Sequence, residues 1–365
     1  MCGIVGAVAD REVSGILLAG LQRLEYRGYD SAGVALLTDA GIGVRKTVGK
    51  VSELCDALGN NPLTGRVGIA HTRWATHGAP SELNAHPHLS NDRIALAHNG
   101  IIENFEALRE ELINAGYRFA SETDSEVIVH LVDHYYQELG DLLEAVRTAV
   151  KRLEGAYAIG VMAKDDPDRI IAARMGSPLV VGKGIGENFI ASDALALRPV
   201  TDRFIYLEEG DLVEVRRTSV AIWNMADESV IRSTVRVVAG EDDVDRGNYR
   251  HFMQKEIHQQ PKVLADTLEG RIGRSRVLEL AFGARAPEIL DATKAVTIAA
   301  CGTSYYAGLV AKYWIEELAG VPCHVEIASE FRYRKVAVIP DSLFVTLTQS
   351  GETADTLAAL RVAKE

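Results

Sequence analysis

Apolar and polar positions in the first 240 residues follow strand-like and helix-like periodicities in turn. Strand-like runs bounded by Gly, Asp or Pro occupy residues 3–9, 94–98, 156–163, 170–174 and 177–182. Helical spacing relates Phe105, Leu108, Leu112 and Ile113, and again Val127, Ile128, Leu131 and Val132. Several strand-like runs follow one another after Ala156 without a helix between them. The pattern therefore predicts antiparallel sheets covered by helices.

The pattern changes beyond residue 250. Strand-like runs at residues 296–300, 324–327 and 343–347 alternate with helical stretches, which predicts a parallel sheet with covering helices. The polar, acidic segment between the two patterns predicts a domain linker over residues 241–250, although a surface loop within one domain would have a similar composition. We therefore expect one domain over residues 1–240 and a second over residues 251–365.

The composition is that of an ordinary folded protein. The 365 residues are 47% hydrophobic and 25% charged, which argues against wholesale disorder. With 39 Lys and Arg against 51 Asp and Glu, the net charge is −12, so we expect no nucleic-acid partner. No apolar run reaches the roughly 18 residues of a membrane span, and no secretory signal is recognisable. Four cysteines without CxxC spacing predict a soluble protein of a reducing compartment.

Cys2 is a candidate nucleophile, because removal of Met1 would leave its thiol beside a free α-amino group. The amine titrates near 8 and the thiol near 8.5, so both groups can be tuned to work at neutral pH. An N-terminal amine can act as the base for a nucleophile on the same residue. The position of one cysteine does not by itself distinguish a nucleophile from an ordinary side chain.

Other polar positions could bind an amino-acid substrate, and each has an ordinary structural alternative. Arg73 follows an apolar run and could hold a carboxylate through two hydrogen bonds, or could lie on a solvated loop. Asn99 and Gly100 could form an oxyanion hole or a two-residue hairpin turn. Asp124 precedes a helix and is expected to cap it, which leaves one carboxylate oxygen for a substrate ammonium.

Histidine is concentrated between His71 and His98, where five of the ten histidines lie. The pair His86 and His88 would place two rings on one side of a strand, as a zinc site could require. No cysteine lies nearby and the HExxH motif is absent, so we expect no metal.

Small hydroxyl and glycine residues lead from a strand into a helix at residues 301–304 and again at residues 348–353. Backbone N–H groups and hydroxyls at helix N-termini form phosphate cradles, although Ser and Thr caps that bind nothing are also common. The motif GxxxxGK[ST] is absent, so a nucleoside triphosphate is not implied. The glycines at residues 182, 184 and 186 lack dinucleotide-loop spacing and predict a hairpin loop.

These motifs together resemble the glutamine–fructose-6-phosphate aminotransferase (isomerizing) family, also called the glucosamine-6-phosphate synthases. The first domain carries MCGIVG at its start, LEYRGYDSAG at 24–33, HTRWATHG at 71–78, NAHPH at 84–88, HNGIIEN at 98–104 and SETD at 121–124. The second carries YRHFMQKEI at 249–257, CGTS at 301–304, EIASEFR at 326–332 and QSGET at 349–353. The first set alone would also fit other class II glutamine amidotransferases, such as amidophosphoribosyltransferase. The second set separates the two families.

The resemblance implies an α+β N-terminal-nucleophile domain of four αββα layers, followed by part of an α/β sugar-isomerase (SIS) domain with a parallel sheet. Cys2 would attack the glutamine amide with its own amine as base, and Asn99 and Gly100 would hold the oxyanion. The implied glutamine-binding residues are Arg73 for the α-carboxylate, Asp124 for the α-ammonium, Thr76 and His77 in a closing loop, and Trp74 at the gate of an ammonia passage.

The resemblance also implies fructose 6-phosphate as a substrate of the second domain. Its phosphate would be bound by Thr303, Ser304, Thr348, Gln349, Ser350 and Thr353. Thr348 stands where the family often has serine, and it keeps the hydroxyl. The implied reaction transfers the amide nitrogen of L-glutamine to D-fructose 6-phosphate, giving D-glucosamine 6-phosphate and L-glutamate. It uses no cofactor, and the implied protein is a cytoplasmic homodimer.

The sequence stops inside a predicted helix, after only part of the second domain. We therefore expect a fragment that lacks the isomerase catalytic residues and can at most hydrolyse glutamine. Two other hypotheses fit less well. A stand-alone glutaminase would have no use for the phosphate-cradle strand ends, and a non-catalytic sugar-phosphate sensor would not need Cys2, Asn99 and Asp124.

Overall fold

A computed structural model describes residues 2–25, 30–73, 79–237, 249–268, 277, 285–337, 339–349, 351 and 353–364. The chain divides into two compact units, Met1–Asp245 and Arg246–Glu365, and each is described by itself. Most of the expected linker, residues 241–248, lies outside the described residues. No helix in the described ranges is long and apolar enough to cross a membrane.

In its described residues, the first unit consists of two antiparallel sheets, five α-helices and a short 3-10 helix, Ala194–Leu197. Its elements in chain order are β1 (Gly3–Val8), α1 (Ser14–Leu24), β2 (Ser31–Thr38), β3 (Gly41–Val48), α2 (Val51–Asn60), β4 (Val67–Arg73), β5 (His88–Ser90), β6 (Ile94–Ile102), α3 (Phe105–Asn114), α4 (Ser125–Leu139), α5 (Leu142–Val150), β7 (Gly155–Ala163), β8 (Asp166–Met175), β9 (Val180–Lys183), β10 (Asn188–Ala191), β11 (Arg203–Tyr206), β12 (Leu212–Arg216), β13 (Val220–Trp223), β14 (Ser229–Val230) and β15 (Thr234–Arg236). The eight-stranded sheet has the order β15-β11-β9-β10-β1-β4-β2-β3. The seven-stranded sheet has the order β14-β13-β12-β8-β7-β6-β5.

Three apolar layers hold these elements together. The middle layer packs the two sheets against each other, and β1 contributes Ile4 and Val8 to it. The opposite face of β1 carries Val5 and Ala7 into a second layer, where α1 and α2 cover the eight-stranded sheet. The third layer lies between the seven-stranded sheet and α3, α4 and α5. Because side chains alternate between the faces of a strand, β1 is apolar throughout. The four αββα layers confirm the expected fold.

Ile190 of the eight-stranded sheet lies against two glycines, Gly6 on the neighbouring strand of its own sheet and Gly160 on β7 of the facing sheet. A Cβ built on Gly6 would lie 2.6 Å from Ile190 Cγ1, and one built on Gly160 would lie 2.7 Å from Ile190 Cδ1. Carbon atoms do not approach that closely, so only glycine fits these two positions while Ile190 keeps its place.

The glycine run near residue 184 confirms the expected hairpin. Lys183 of β9 pairs with Asn188 of β10, and the Gly184 N–H donates to the Glu187 carbonyl at 2.9 Å. The earlier strand-like runs correspond to β1, β6, β7, β8 and β9, and the two apolar helical patterns correspond to α3 and α4.

The second unit is built on a three-stranded parallel sheet. Its elements are α6 (Phe252–Leu268), α7 (Ala286–Ala292), β16 (Ala295–Ala300), α8 (Gly302–Trp314), β17 (Cys323–Ile327), α9 (Ala328–Phe331), β18 (Ser342–Leu347) and α10 (Ala354–Lys364). The strand order is β17-β16-β18, and both neighbours run parallel to β16, which confirms the expected sheet. Gly308 brings α8 close to this sheet, because a Cβ there would lie 3.1 Å from side-chain atoms of Ile298 and Val325.

A methyl group at position 160 is expected to push the two sheets apart. Gly160→Ala should lower the free energy of unfolding by about 1–3 kcal/mol, the usual cost of overpacking a dense core. Urea unfolding followed by circular dichroism measures the change. Gly15→Ala is the matched control, because Gly15 lies on α1 with no atom within 4 Å of the new Cβ. That substitution should stabilise the protein by up to about 1 kcal/mol. Equal effects of the two substitutions would contradict the packing argument.

Candidate active site

The ends of three strands from both sheets meet around Cys2. Cys2 directly precedes β1, and Gly3 at the start of β1 pairs with Thr72 near the end of β4. Asn99 lies near the end of β6 in the other sheet. Its amide Nδ2 donates to the Cys2 carbonyl at 3.3 Å. A candidate nucleophile and a candidate oxyanion donor, 97 positions apart in sequence, are thus in direct contact.

Asn99 and Gly100 do not form the hairpin turn that their dipeptide favours locally. Both lie inside β6 and pair with Ala158 and Tyr157 of β7. Gly100 has φ +135°, and a Cβ at this position would lie 1.9 Å from the Ala156 carbonyl oxygen. The glycine is therefore required by close approach of the next strand, and the turn interpretation is wrong.

Arg73 does not lie on a solvated loop. It is the last residue of β4 and is only 3% exposed. Its Nη1 lies 3.6 Å from Asp30 Oδ1, and its carbonyl accepts a hydrogen bond from the Asp30 N–H at 2.7 Å. The strand pairing Ser31 with Arg73 holds this ion pair at the same end of the sheet as Cys2. A buried guanidinium held in this way is suited to bind a carboxylate.

Asp124 does not cap helix α4 with its side chain, in contrast to the expectation. The residue itself has helical dihedral angles, φ −64° and ψ −25°, and makes no side-chain capping bond. Its Oδ2 accepts the backbone N–H of Ile102 at 2.8 Å, and its Oδ1 lies 3.4 Å from the Ser125 hydroxyl. The carboxylate is 3% exposed and joins the start of α4 to the end of β6. The carboxylate of Asp124 is thus bonded to the end of β6, two residues beyond Gly100.

Glu126 holds the segment that leads into Asp124. Its carboxylate accepts the N–H groups of Ala120 at 2.8 Å and Ser121 at 2.7 Å, and the Ser121 hydroxyl at 2.7 Å. Burial alone would raise the pKa of Glu126, but hydrogen bonds from His130, Ala120 and Ser121 outweigh it and lower the pKa to about 2. The ionised side chain fixes the 120–126 turn.

Buried histidines surround Asn99. The His71 Nε2 atom lies 2.9 Å from both the His98 carbonyl and Asn99 Oδ1. On the other side of the ring, His71 Nδ1 lies 3.1 Å from His86 Nδ1. His88 Nε2 contacts the Thr123 hydroxyl at 3.0 Å, and His98 Nδ1 contacts the Ser125 hydroxyl at 2.7 Å.

These histidines are neutral because they are buried. Burial lowers the pKa of His71 to about 3 and holds the pKa values of His86 and His88 well below the usual range. It also lowers the pKa of His98, against the favourable charge of Asp124. The rings bond to each other and to nearby hydroxyl and amide groups. Among the described residues, no group of three or more His, Cys, Asp or Glu side chains is arranged to hold a metal ion.

Several expected site residues lie outside the described residues. They are Trp74, Thr76, His77 and Ser350. The remaining expected glutaminase residues are Cys2, Arg73, Asn99, Gly100 and Asp124. From the sequence, His71 and His86 are members of a histidine-rich region, and nothing there predicts that His71 contacts Asn99 or that His86 contacts His71. Their signal in the sequence is weak, because His71 acquires its role only through contacts with residues 27 and 28 positions away.

The expected sugar-phosphate residues follow two neighbouring strands of the second unit. Thr303 and Ser304 lie in the first turn of α8, directly after β16. Thr348 follows β18, and its hydroxyl accepts the Gly351 N–H at 3.1 Å and lies 3.3 Å from the Thr353 hydroxyl. Ala300 pairs with Leu347, so both loops leave the same carboxyl edge of the sheet. Exposed Gln349 belongs to the second loop.

The connections diverge at this edge. From β16 the chain passes through α8 to β17 on one side, and the next strand, β18, lies on the other side of β16. Open parallel sheets form a crevice at such a reversal of strand order, and ligands commonly bind there. The helix N-terminus and the hydroxyls of both loops make this edge suited to an anion.

Comparison with known proteins agrees with this arrangement. A model of the glutamine amidotransferase domain matches residues 71–199, and a model of the SIS domain matches residues 289–365. The glutamine–fructose-6-phosphate aminotransferase (isomerizing) of Pseudomonas syringae pv. tomato is 63% identical over 366 residues, which include 100% of this chain. The chain is a homologue of glutamine–fructose-6-phosphate aminotransferase (isomerizing). The aminotransferase of the same name from Idiomarina loihiensis is 58% identical, again over 100% of this chain.

The chain spans 60% of the length of these two aminotransferases. A solved structure of the glutamine phosphoribosylpyrophosphate amidotransferase from B. subtilis, in complex with ADP and GMP, has a TM-score of 0.53 at 22% identity. The matched region covers 89% of this chain and 65% of the amidotransferase chain. This likeness shows a shared fold, whereas the sequence matches relate the chain to the aminotransferases. The first unit is a class II glutamine amidotransferase domain, and the SIS domain follows it.

Acid is expected to destabilise the first unit through its buried histidines. An unfolded histidine titrates near 6.5, whereas burial lowers the pKa of His71 to about 3. The unfolded state therefore binds more protons, and stability that is complete above about pH 6.5 is lost as the pH falls toward 3. The loss is about 1.4 kcal/mol per pH unit for each histidine that stays neutral in the folded state.

Urea unfolding between pH 5 and 7.5 measures this slope. His71→Gln should reduce the slope by about 1 kcal/mol per pH unit. His134→Gln, which removes a 35% exposed imidazole from α4, is the matched control. An unchanged slope in His71→Gln would mean that the buried ring is not the group that resists protonation.

Proposed function

We propose that the first unit hydrolyses L-glutamine with Cys2 as the nucleophile. The observation that carries this proposal is the 3.3 Å hydrogen bond from Asn99 Nδ2 to the Cys2 carbonyl. In this contact an amide donor from one sheet lies beside a cysteine at the start of β1, an inner strand of the other sheet. Removal of Met1 would give Cys2 the free amine that the chemistry needs.

The proposed reaction proceeds through a thioester. The Cys2 amine accepts the thiol proton, and the thiolate sulfur bonds to the amide carbon of glutamine. The carbonyl oxygen becomes an oxyanion that the Asn99 amide and the Gly100 N–H stabilise. The C–N bond breaks, the nitrogen takes the proton from the Cys2 amine, and ammonia leaves. Water then attacks the thioester carbon, which releases glutamate and restores the thiol.

Two buried charges would hold the glutamine backbone. Arg73 is placed to bind the α-carboxylate, because its guanidinium lies at the Cys2 end of β4. Asp124 is placed to bind the α-ammonium, since its carboxylate keeps acceptor capacity beyond its bonds to Ile102 and Ser125. Thr76 and His77 would close over the substrate, and Trp74 would gate the ammonia passage. These three assignments rest on the family resemblance.

We also propose that the second unit binds fructose 6-phosphate at the carboxyl edge of its sheet. The first turn of α8 and the Thr348 loop face this edge together, and helix N-termini favour phosphate. The proposed contacts are Thr303, Ser304, Thr348, Gln349, Ser350 and Thr353. Glutamine nitrogen would then be transferred to the sugar, as the names of the relatives describe, giving glucosamine 6-phosphate and glutamate.

We assign glutamine hydrolysis to a domain of residues 1–240 and the sugar site to a domain of residues 251–365, with a linker at residues 241–250. Ring opening and isomerisation of the sugar are proposed for the part of the relatives' length that this chain does not span. A cytoplasmic homodimer is proposed from the family resemblance. None of the four cysteines, all of which are described, forms a disulfide, which supports a reducing compartment.

Replacement of the nucleophile should abolish glutamine hydrolysis. Cys2→Ala should lower glutamate release by at least about 10³-fold, because removal of a nucleophile ends covalent catalysis. Cys55→Ala is the matched control on α2, where Cys55 contacts Gln22, and it should keep full activity. Mass analysis should first establish that Met1 is absent. Equal glutamate release from wild type and Cys2→Ala would contradict the proposal, as would a wild-type protein with free Cys2 that releases none.

Loss of hydroxyls at the carboxyl edge should weaken fructose 6-phosphate binding. Ser304→Ala and Thr348→Val should each raise the Kd by about 10-fold, since each removes a hydrogen bond to a charged oxygen. Isothermal titration measures the change. Ser342→Ala, at the amino end of β18, is the control and should leave the Kd unchanged. If all three variants bind equally well, the sugar phosphate binds elsewhere.

A further inference from the structure

We propose that His71 and His86 are positioning residues of the glutaminase site, and that His71 holds the Asn99 amide with its nitrogen toward Cys2. This inference rests on the proposed glutamine chemistry and extends it to residues that the resemblance does not assign. Neither histidine bonds to Cys2. Both act through the orientation of Asn99.

Two backbone carbonyls determine the orientation of the Asn99 amide. A carbonyl oxygen can only accept, so the His71 Nε2 atom that lies 2.9 Å from the His98 carbonyl must carry a proton. The Asn99 atom that lies 2.9 Å from the same Nε2 must therefore be the acceptor Oδ1. The Cys2 carbonyl, 3.3 Å from the other amide atom, independently requires Nδ2 there. One of the two hydrogens on Nδ2 is donated to the Cys2 carbonyl, and the second hydrogen remains available for an oxyanion.

His86 determines the tautomer of His71. A neutral imidazole with its proton on Nε2 has a lone pair on Nδ1, so His86 Nδ1, at 3.1 Å, must donate. The backbone of His86 is held by a glycine on β2, because a Cβ on Gly33 would lie 2.1 Å from the His86 carbonyl oxygen. Gly33 also pairs with His71 across the β2–β4 ladder. The donor and the acceptor ring are thus anchored to the same pair of strands.

The opposite amide orientation would be costly. It would point the Asn99 oxygen at the Cys2 carbonyl and the amide nitrogen at the His71 N–H, so that two acceptors and two donors would oppose each other in a buried site. His71 and Asn99 are 0% and 6% exposed, so water offers little compensation. A side chain that only filled space at position 71 would remove one of the two hydrogen bonds that favour this orientation and leave only the contact with the Cys2 carbonyl to do so.

Kinetics of glutamate release from the full chain test the inference. His71→Leu should lower kcat by about 10²-fold, the scale of one lost oxyanion donor, with a smaller change in KM for glutamine. His71→Gln should keep kcat within about 10-fold of wild type, because a glutamine amide can supply an N–H where the imidazole Nε2–H lies. In an Asn99→Ala background, His71→Leu should cause no further loss in kcat. A purely structural residue would show additive losses and no rescue by glutamine.

Long-range proton–nitrogen NMR on wild-type protein with ¹⁵N-labelled histidine gives a readout independent of activity and of variant folding. The expected tautomers are Nε2–H for His71 and Nδ1–H for His86. An Nδ1–H tautomer for His71 would overturn the inference, as would wild-type kcat in His71→Leu. A wild-type protein that shows the expected tautomers but releases no glutamate would refute the proposed function instead, and would leave the positioning of Asn99 intact.

Discussion

The hydrogen bond from the Asn99 amide to the Cys2 carbonyl joins the two sheets at the end where the chain begins. Its geometry depends on the strand registers on either side. In one sheet, Gly3 lies opposite Thr72, which places Arg73 next to Cys2. In the other sheet, Gly100 lies opposite Tyr157, and this register positions Asn99 beside Cys2. A shift of one residue in either register would turn these side chains to the other face of the sheet. The apolar layers that prevent such a shift therefore also hold the site together.

Burial is the second constraint, and it determines which side chains around Cys2 carry a charge. A site enclosed by apolar layers keeps its imidazoles neutral and strengthens every dipole that faces the reacting carbonyl. The ionised groups are few, and each is held by partners. Glu126 is held by two backbone N–H groups and a hydroxyl, and Arg73 lies beside Asp30. Such an interior would suit the proposed release of ammonia, because ammonia in water at neutral pH is mostly protonated and no longer nucleophilic.

Local patterns were sufficient to predict antiparallel sheets covered by helices and the parallel sheet, because alternation and helical spacing report directly which faces are buried. The order of the four layers came from the motif resemblance. Local patterns misassigned residues whose partners are distant in sequence. The Asn99–Gly100 dipeptide favours a turn, but pairing with β7 requires a strand there. Asp124 favours a cap, but its carboxylate bonds the Ile102 N–H, 22 positions earlier. The motif resemblance supplied the candidate role of Asn99, whereas the contact with His71 emerged only from the folded chain.

The bond between Asn99 and Cys2 ends on the main chain of Cys2, not on its sulfur. The amide donor therefore keeps its anchor whatever side chain stands at position 2. A protein without the thiol would keep Asn99, Arg73 and Asp124 in place and, by the proposed mechanism, would lack only the group that attacks the amide. If glutamine binds as proposed, such a protein would hold it uncleaved, which would allow crystallography of the complex and direct measurement of its affinity.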